Sequence, residues 1–264
     1  MAALRTVVAT RYVTPLREGG SLPAVIEADD LGLYVLKFRG AGQGVKALIA
    51  ELVAGELARV LALPIPEIVF VEVDPELART EPDPEIQELI RASAGLNLAL
   101  DYLPGTMAFD PIAEHPEPDL ASRIVWFDAF ITNVDRTARN TNMLVWHRKL
   151  WLIDHGASLY FHHHWPGAAA RVGDPFALIK DHVLLPLASA LTIADAAMVA
   201  RLDAGTIDAV IASIPDAWLV DDAFADAADP VQAHRDAYGT WLKQRLRQSR
   251  VFVQEAIRAR AIDV

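Results

Sequence analysis

Apolar residues keep a two-residue period, or run in β-branched stretches, over the first hundred positions and switch to a helical period over the last hundred. A chain patterned this way is expected to be an α+β protein with its strands gathered toward the N-terminus. Residues 6–13, 24–27 and 33–38 read as three strands, separated by Arg17-Glu-Gly-Gly-Ser and by Asp29-Asp-Leu-Gly, and a small antiparallel sheet is the simplest use of them. Over residues 45–61 the apolar positions Val45, Leu48, Ile49, Leu52, Val53, Leu57, Val60 and Leu61 follow a 3.6-residue period, which predicts an amphipathic helix ended by Pro64 and Pro66. Residues 68–73 and 96–103 read as further strands, with the Pro-rich, acidic piece 74–84 as a surface excursion between them. A helix is expected over 120–132, then a hairpin of two short apolar runs, 143–146 and 150–153, around His147-Arg-Lys. One long helix over about 231–261, with Arg and Lys on its exposed face, is expected to close the chain.

The hairpin matters because of what flanks it. Asn133-Val-Asp-Arg-Thr-Ala-Arg-Asn140 precedes it and Ile153-Asp154-His155-Gly156 follows it. Asp135 and Asn140 stand in the D-x-x-x-x-N spacing of a kinase catalytic loop, and Asp154-His155-Gly156 lies where a metal-binding Asp-Phe-Gly would be. With a turn near Arg148, pairing sets residues near 140–142 opposite residues near 154–156, so that an amide and a carboxylate converge. Oxygen donors of that kind suit Mg²⁺, which keeps waters and substrate phosphates as the rest of its shell. Asp135 is placed to orient an incoming hydroxyl and accept its proton. Lys37, in the strand Tyr34-Val-Leu-Lys-Phe-Arg, and Glu51, in the helix, form the kind of pair that aims an ammonium at nucleotide phosphates. Gly40-Ala-Gly42-Gln-Gly44 lies between them, where backbone amides and a helix N-terminus could cup phosphate oxygens. The end of the last sheet strand, with Asp101 and Tyr102 just before Pro104-Gly105, is where a two-lobed kinase contacts adenine.

On these residues, together with Leu36-Lys37-Phe38 and the stretch from Leu57 to Pro66, the sequence resembles the HipA-like kinase family, in particular its short stand-alone members, and more distantly the lipid-kinase branch of the kinase fold. The recognisable motifs span roughly residues 30–165, and the C-terminal helices match only in type. The resemblance implies a bilobal protein-kinase-like fold: an N-terminal antiparallel-sheet lobe with one main helix over residues 1–103, and a mainly helical lobe over 104–264 that carries the catalytic loop and the metal-binding hairpin. It implies ATP with Mg²⁺ and transfer of the γ-phosphoryl group to a hydroxyl of a protein Ser or Thr or of a small molecule. By position, Lys37 would bind nucleotide phosphates, Glu51 would orient it, Asp135 would be the catalytic carboxylate, and Asn140 and Asp154 would be metal ligands. The chain is shorter than full-length toxin-type members and is expected to lack their extra N-terminal module, so neither the toxin role nor its substrate is carried over. A pseudokinase that binds nucleotide without catalysis is the reading from another class, and the complete polar set argues against it.

Composition removes other classes. Lys and Arg number 24 and Asp and Glu 35, a formal net charge of −11, which argues against nucleic acid as the main ligand. With no cysteine, disulfides, thiolate metal sites and cysteine nucleophiles are excluded. The longest charge-free apolar stretch of interest, 183–194, contains Pro186 and is too short to span a bilayer, so a soluble, cytoplasmic protein is expected. No G-x-S-x-G turn supports a serine hydrolase. His162-His163-His164 reads as a solvated or packed segment and not a metal site, His155 as a packing residue, and the six tryptophans, among them Trp126, Trp146, Trp151 and Trp218, as core.

Overall fold

Val7 and Ala9 point inward and Val8 outward along β1 (Thr6–Pro15), the alternation a half-buried strand needs. The computed structural model describes residues 3–16, 22–42 and 44–263; the turn expected at Arg17-Glu-Gly-Gly-Ser and Gln43 of the glycine segment lie outside the described residues. The chain divides into two compact units, Met1–Leu52 with Pro66–Gly105, and Val53–Ile65 with Thr106–Val264.

In the first unit β1 is followed by β2 (Ala24–Ala28), β3 (Leu33–Lys37), helix α1 (Val45–Val60, whose first half belongs to this unit), β4 (Ile68–Val73), helix α2 (Pro84–Ala92) and β5 (Gly95–Asp101). The strands close into a barrel in the order β1-β2-β3-β5-β4, whereas the sequence suggested a small antiparallel sheet. Four pairings are antiparallel, and β1 closes the ring by pairing parallel to β4, Val7 opposite Val71. The reason lies in the length of β1. Its first residues serve β4 and its last serve β2, with register shifts between Ala9 and Arg11 and between Tyr12 and Thr14 that let one strand bend across both partners. Val7, Ala9, Ile26, Leu36, Val69 and Val71 are among the residues that fill this unit's core.

Helix α2 is a second departure, since the sequence reading placed no helix after the acidic excursion. Asp83 caps it by accepting from the Glu85 amide, Pro84 opens its first turn, and Ile86 and Ile90, four residues apart, are buried. The caps were legible; the apolar stripe is only two buried residues long.

The second unit holds a three-stranded sheet of β6 (Met107–Ala108), β7 (Met143–Trp146) and β8 (Lys149–Leu152), with α3 (Pro118–Phe130) between the first two strands and α4 (Leu191–Val199), α5 (Ala204–Ile211), α6 (Pro230–Arg247) and α7 (Ser249–Asp263) after them. The single long final helix expected from the sequence is two helices, interrupted at Gln248, whose ψ of 19° leaves the helical range. Trp126, Phe130 and Phe252 pack ring on ring, joining α3 to α7. Trp126 and Trp218 are fully buried, whereas Trp146 and Trp151 are half-buried on the hairpin, edge to face at 5.7 Å, and so are not core residues. Among the described residues no helix is long and apolar enough to cross a membrane.

After α1 the chain turns through Ala62, exposed and at φ 54°, with the Leu63 amide bonded back to the Ala58 carbonyl. This is the left-handed helix stop that glycine fills without strain. Ala62→Gly is expected to raise stability by about 1 kcal/mol, read as a higher urea midpoint at unchanged m-value; a lower midpoint would contradict the strain.

Candidate active site

In the first unit Lys37 is the last residue of β3, opposite Leu98 of β5, and its Nζ lies 3.6 Å from Oε2 of Glu51 on α1. The glutamate is 1% exposed and the lysine side chain 11%. A carboxylate so deeply buried holds its ammonium by charge with little competition from water, so the lysine is aimed by the helix and not left to sweep through solvent.

The glycine segment that follows is tied down. The Arg39 amide donates to Asn97 Oδ1 at 2.7 Å, the Gly40 amide to Ser93 Oγ at 3.0 Å, and the Gly44 amide to the Ala41 carbonyl at 2.9 Å. A Cβ on Gly40 would stand 2.9 Å from that of Ala92, so glycine there is a close approach, while Gly42 and Gly44 hold φ of 52° and 63°. With the amides of Gly40 and Gly44 committed within the protein, the expected phosphate cradle narrows to the Gly42 amide and the start of α1. The same holds at Asp101 and Tyr102, whose amides donate to the Glu67 and Leu33 carbonyls. Burial, and then the nearby Glu67 carboxylate, push the Asp101 carboxyl up, with Arg5 opposing.

In the second unit α3 ends in a left-handed stop at Thr132, φ 54°, with the Asn133 amide bonded to the Asp128 carbonyl. The buried Arg245 reinforces that end, donating to the carbonyls of Ala129 and Phe130 and to those of Val172 and Asp174. Burial lowers its pKa to about 10, against the raising effect of Asp174. The sequence reading placed the cations of this helix on its exposed face; Arg245 is the exception, buried because it satisfies carbonyls that a helix end leaves without partners.

The chain then enters the loop 133–142. Asn133 Oδ1 accepts from the Asp135 amide, and the Thr137 amide reaches the carbonyls of Asp135 and Asn140, folding the loop on itself. Asp135 Oδ2 accepts from Asn140 Nδ2 at 2.7 Å and Asn142 Nδ2 at 3.2 Å. Among the described residues nothing donates to its Oδ1. The same geometry orients Asn140, whose amide nitrogen faces Asp135 and whose oxygen is thereby directed elsewhere. Asp154 follows the hairpin at φ 55°, a left-handed conformation that costs an L-residue energy and that Asp tolerates better than most. Its carbonyl accepts from Asn142 Nδ2 at 3.5 Å, and the Ile153 amide donates to the Asn142 carbonyl at 3.0 Å. Loop and hairpin exit therefore meet at Asn142, close to the pairing expected from the sequence. His147 and Arg148, both at positive φ, make the tight hairpin turn.

Beneath the loop lies a polar core that the sequence reading missed. Asp128, fully buried on α3, accepts from Arg136 Nε at 2.6 Å, His182 Nε2 at 2.9 Å and Asn133 Nδ2 at 3.0 Å. Arg136, 1% exposed, also donates through Nη1 to the Asn142 and Ile153 carbonyls. His182 Nδ1 accepts from the Leu184 amide, which fixes the tautomer with the proton on Nε2, toward Asp128. Burial alone would push the Asp128 carboxyl up; the Arg136 charge and the His182 hydrogen bond outweigh it and hold the carboxyl well below the usual carboxylate range. One guanidinium thus ties helix α3, the loop 133–142 and the hairpin together. The only sequence signal was Asp128 itself, an acid among Trp126, Phe127, Ala129 and Phe130.

Among the histidines, His155 is buried edge to face against Phe127, and His162 is buried with Nδ1 3.0 Å from the Tyr238 hydroxyl, while His163 and His164 are exposed. Among the described residues no group of three or more His, Asp or Glu could hold a metal ion.

No curated protein matches the chain. Among solved structures, the Helicobacter pylori proinflammatory kinase CtkA superposes with a TM-score of 0.57 at 13% identity, covering 97% of this chain and 98% of that one. The Golgi casein kinase, in a structure with Mn/ADP bound, superposes at 0.51 and 12% identity, covering 100% of this chain and 75% of that one. At such identities the likeness speaks to the fold, which is kinase-like. The sequence model of the HipA-like kinase family matches residues 10–249, and the chain accordingly belongs to the HipA-like kinase family and is a kinase.

Proposed function

We propose that the chain moves the γ-phosphoryl group of Mg-ATP to the hydroxyl of a protein Ser or Thr, with Lys37, Glu51, Asp135, Asn140 and Asp154 as the residues that act. The observation that carries this reading is the state of Asp135: two side-chain amides hold one carboxylate oxygen and the other is left open. A carboxylate fixed in that way is prepared to orient a hydroxyl and accept its proton.

The donor set suits a hard divalent cation. Asn140 Oδ1 and the Asp154 carboxylate are both oxygen donors, and two protein ligands are enough for Mg²⁺, which fills its shell with waters and phosphate oxygens. Bound there, Mg²⁺ would neutralise charge on the phosphates. The chain's own residues do the rest. Lys37, held by Glu51, binds phosphate oxygens; Gly42 and the first turn of α1 offer backbone amides; Asn142 holds the loop and the hairpin exit in one register. In the sister reading of a catalytically silent fold, nothing would keep Asp135 pinned and open.

Thermal shift with ATP, with and without Mg²⁺, followed by labelled-ATP transfer to a lysate and a metabolite panel, tests the proposal. Wild type is expected to show a Mg²⁺-dependent stabilisation and to label a protein band. Asp154→Asn is expected to lose the Mg²⁺-dependent increment. Stabilisation without any transfer would sink the enzyme reading, and labelling only of small molecules would sink the protein acceptor.

A further inference from the structure

Several exposed arginines of this acidic protein sit on carboxylates: Arg11 on Glu27, Arg79 on Glu76, Arg258 on Glu255. Beside the catalytic loop the pattern breaks. Arg139, one residue before Asn140, is exposed and makes no ion pair or hydrogen bond with any described residue; Lys180 is exposed and equally without a partner. Thr137 and His182 form an antiparallel bridge, supported by the Val183 amide bonded to the Arg136 carbonyl. Arg139 follows Thr137 by two residues, and Lys180, in the short 3-10 helix Ala177–Asp181, precedes His182 by two, so the bridge keeps both cations close to it along the chain. The loop that carries Arg139 is the one that carries Asp135, folded tightly by the Thr137 hydrogen bonds.

We infer that Arg139 and Lys180 form an anion clamp next to the catalytic carboxylate that selects acidic peptides, with a Glu or Asp close in sequence to the reacting hydroxyl. With consecutive Cα atoms about 3.8 Å apart, an acid within about three residues of the hydroxyl falls within reach of the loop. A guanidinium takes a carboxylate in bidentate fashion, and a neighbouring ammonium adds a point charge. The chain's net charge of −11 repels an acidic peptide from afar, but salt screens that beyond about 8 Å, which leaves the local pair to decide. Along the chain the carboxylates next to these cations are Asp135, already held by Asn140 and Asn142, and Asp181, exposed and paired with neither cation.

The inference rests on the protein-kinase reading, and its test is chosen to fail separately. Fluorescence anisotropy of three labelled peptides, each with one central Ser flanked by Glu, by Ala or by Lys, needs no nucleotide turnover. Wild type is expected to bind the Glu peptide about tenfold more tightly than the others at about 0.15 M salt, where the distant repulsion is screened, and to lose that preference at about 1 M, where the local contacts are screened too. Lys180→Gln is expected to weaken the Glu peptide about threefold, and Arg139→Glu to turn the preference toward the Lys peptide. If the Glu peptide is also phosphorylated, Arg139→Gln should raise KM for it about three- to tenfold with little change in kcat. Equal binding of the three peptides, or a preference that survives Arg139→Glu, overturns the clamp; displacement of the Glu peptide by citrate at equal carboxylate concentration overturns the assignment to a peptide. Loss of nucleotide binding or of transfer in wild type would instead bear on the kinase reading.

Discussion

Asp128→Ala is expected to lower the stability of the chain by about 3–5 kcal/mol, because it removes one partner of a buried ion pair and strands the other. The Arg136 guanidinium is 1% exposed and can neither reach water nor give up its proton, and His182 and Asn133 lose their acceptor with it. Urea unfolding followed by tryptophan fluorescence reads the effect; a loss under about 1 kcal/mol would mean that the network is ornamental to the fold. Asp128→Asn separates charge from shape, since an amide still accepts one hydrogen bond. The pH dependence follows with a definite sign. A carboxyl held below its ordinary value contributes stability that is present above the unfolded pKa, about 3.9, and is lost as pH falls through the lower folded value. Wild type is therefore expected to lose stability steeply on acidification below about pH 4, and Asp128→Asn to show a flatter acid limb from a lower plateau.

The same network shows where the sequence stops being legible. Lys37, Glu51, Asp135, Asn140 and Asp154 could be singled out because the proposed chemistry fixes spacing along the chain, and inside each unit the structure brings together those that belong to it: Lys37 beside Glu51, Asp135 beside Asn140, Asp154 joined to the loop through Asn142. The supporting groups carry no such spacing. Asp128, Arg136 and His182 meet across 54 residues of sequence, and Arg245 reaches Ala129 across 116. Only folding makes them neighbours. Closure of the five-stranded sheet was equally hidden, since it depends on one end of β1 pairing with β4, and strand periodicity reports which face is buried but not which partner lies alongside. The glycine segment is a different case. Its composition suggests open amides, yet the donors of Gly40 and Gly44 are spent on Ser93 and Ala41, and no count of glycines reveals that.

The second large effect concerns chemistry and not stability. Asp135→Asn is expected to slow phosphoryl transfer by about 10²- to 10⁴-fold, the range over which a positioned acid–base group acts, while the Mg²⁺-dependent thermal shift with ATP persists. The side chain is half-buried and its loop is held by Asn133, Thr137 and Arg136, so the variant keeps the loop and loses only a group able to take a proton. Single-turnover rates measure this directly, and a loss of less than about tenfold would remove Asp135 from the reaction. Two companions distinguish charge from position. Asp135→Glu keeps a carboxylate but moves it one methylene away from the amides of Asn140 and Asn142, so its rate should stay near that of Asp135→Asn if placement governs, and recover most of the wild-type rate if charge alone does. Asn142→Ala leaves Asp135 intact, frees one of the two restraints on Oδ2 and unties the loop from the Asp154 carbonyl. A drop of about tenfold there, with Asp135 untouched, would show that the open oxygen works because its twin is held.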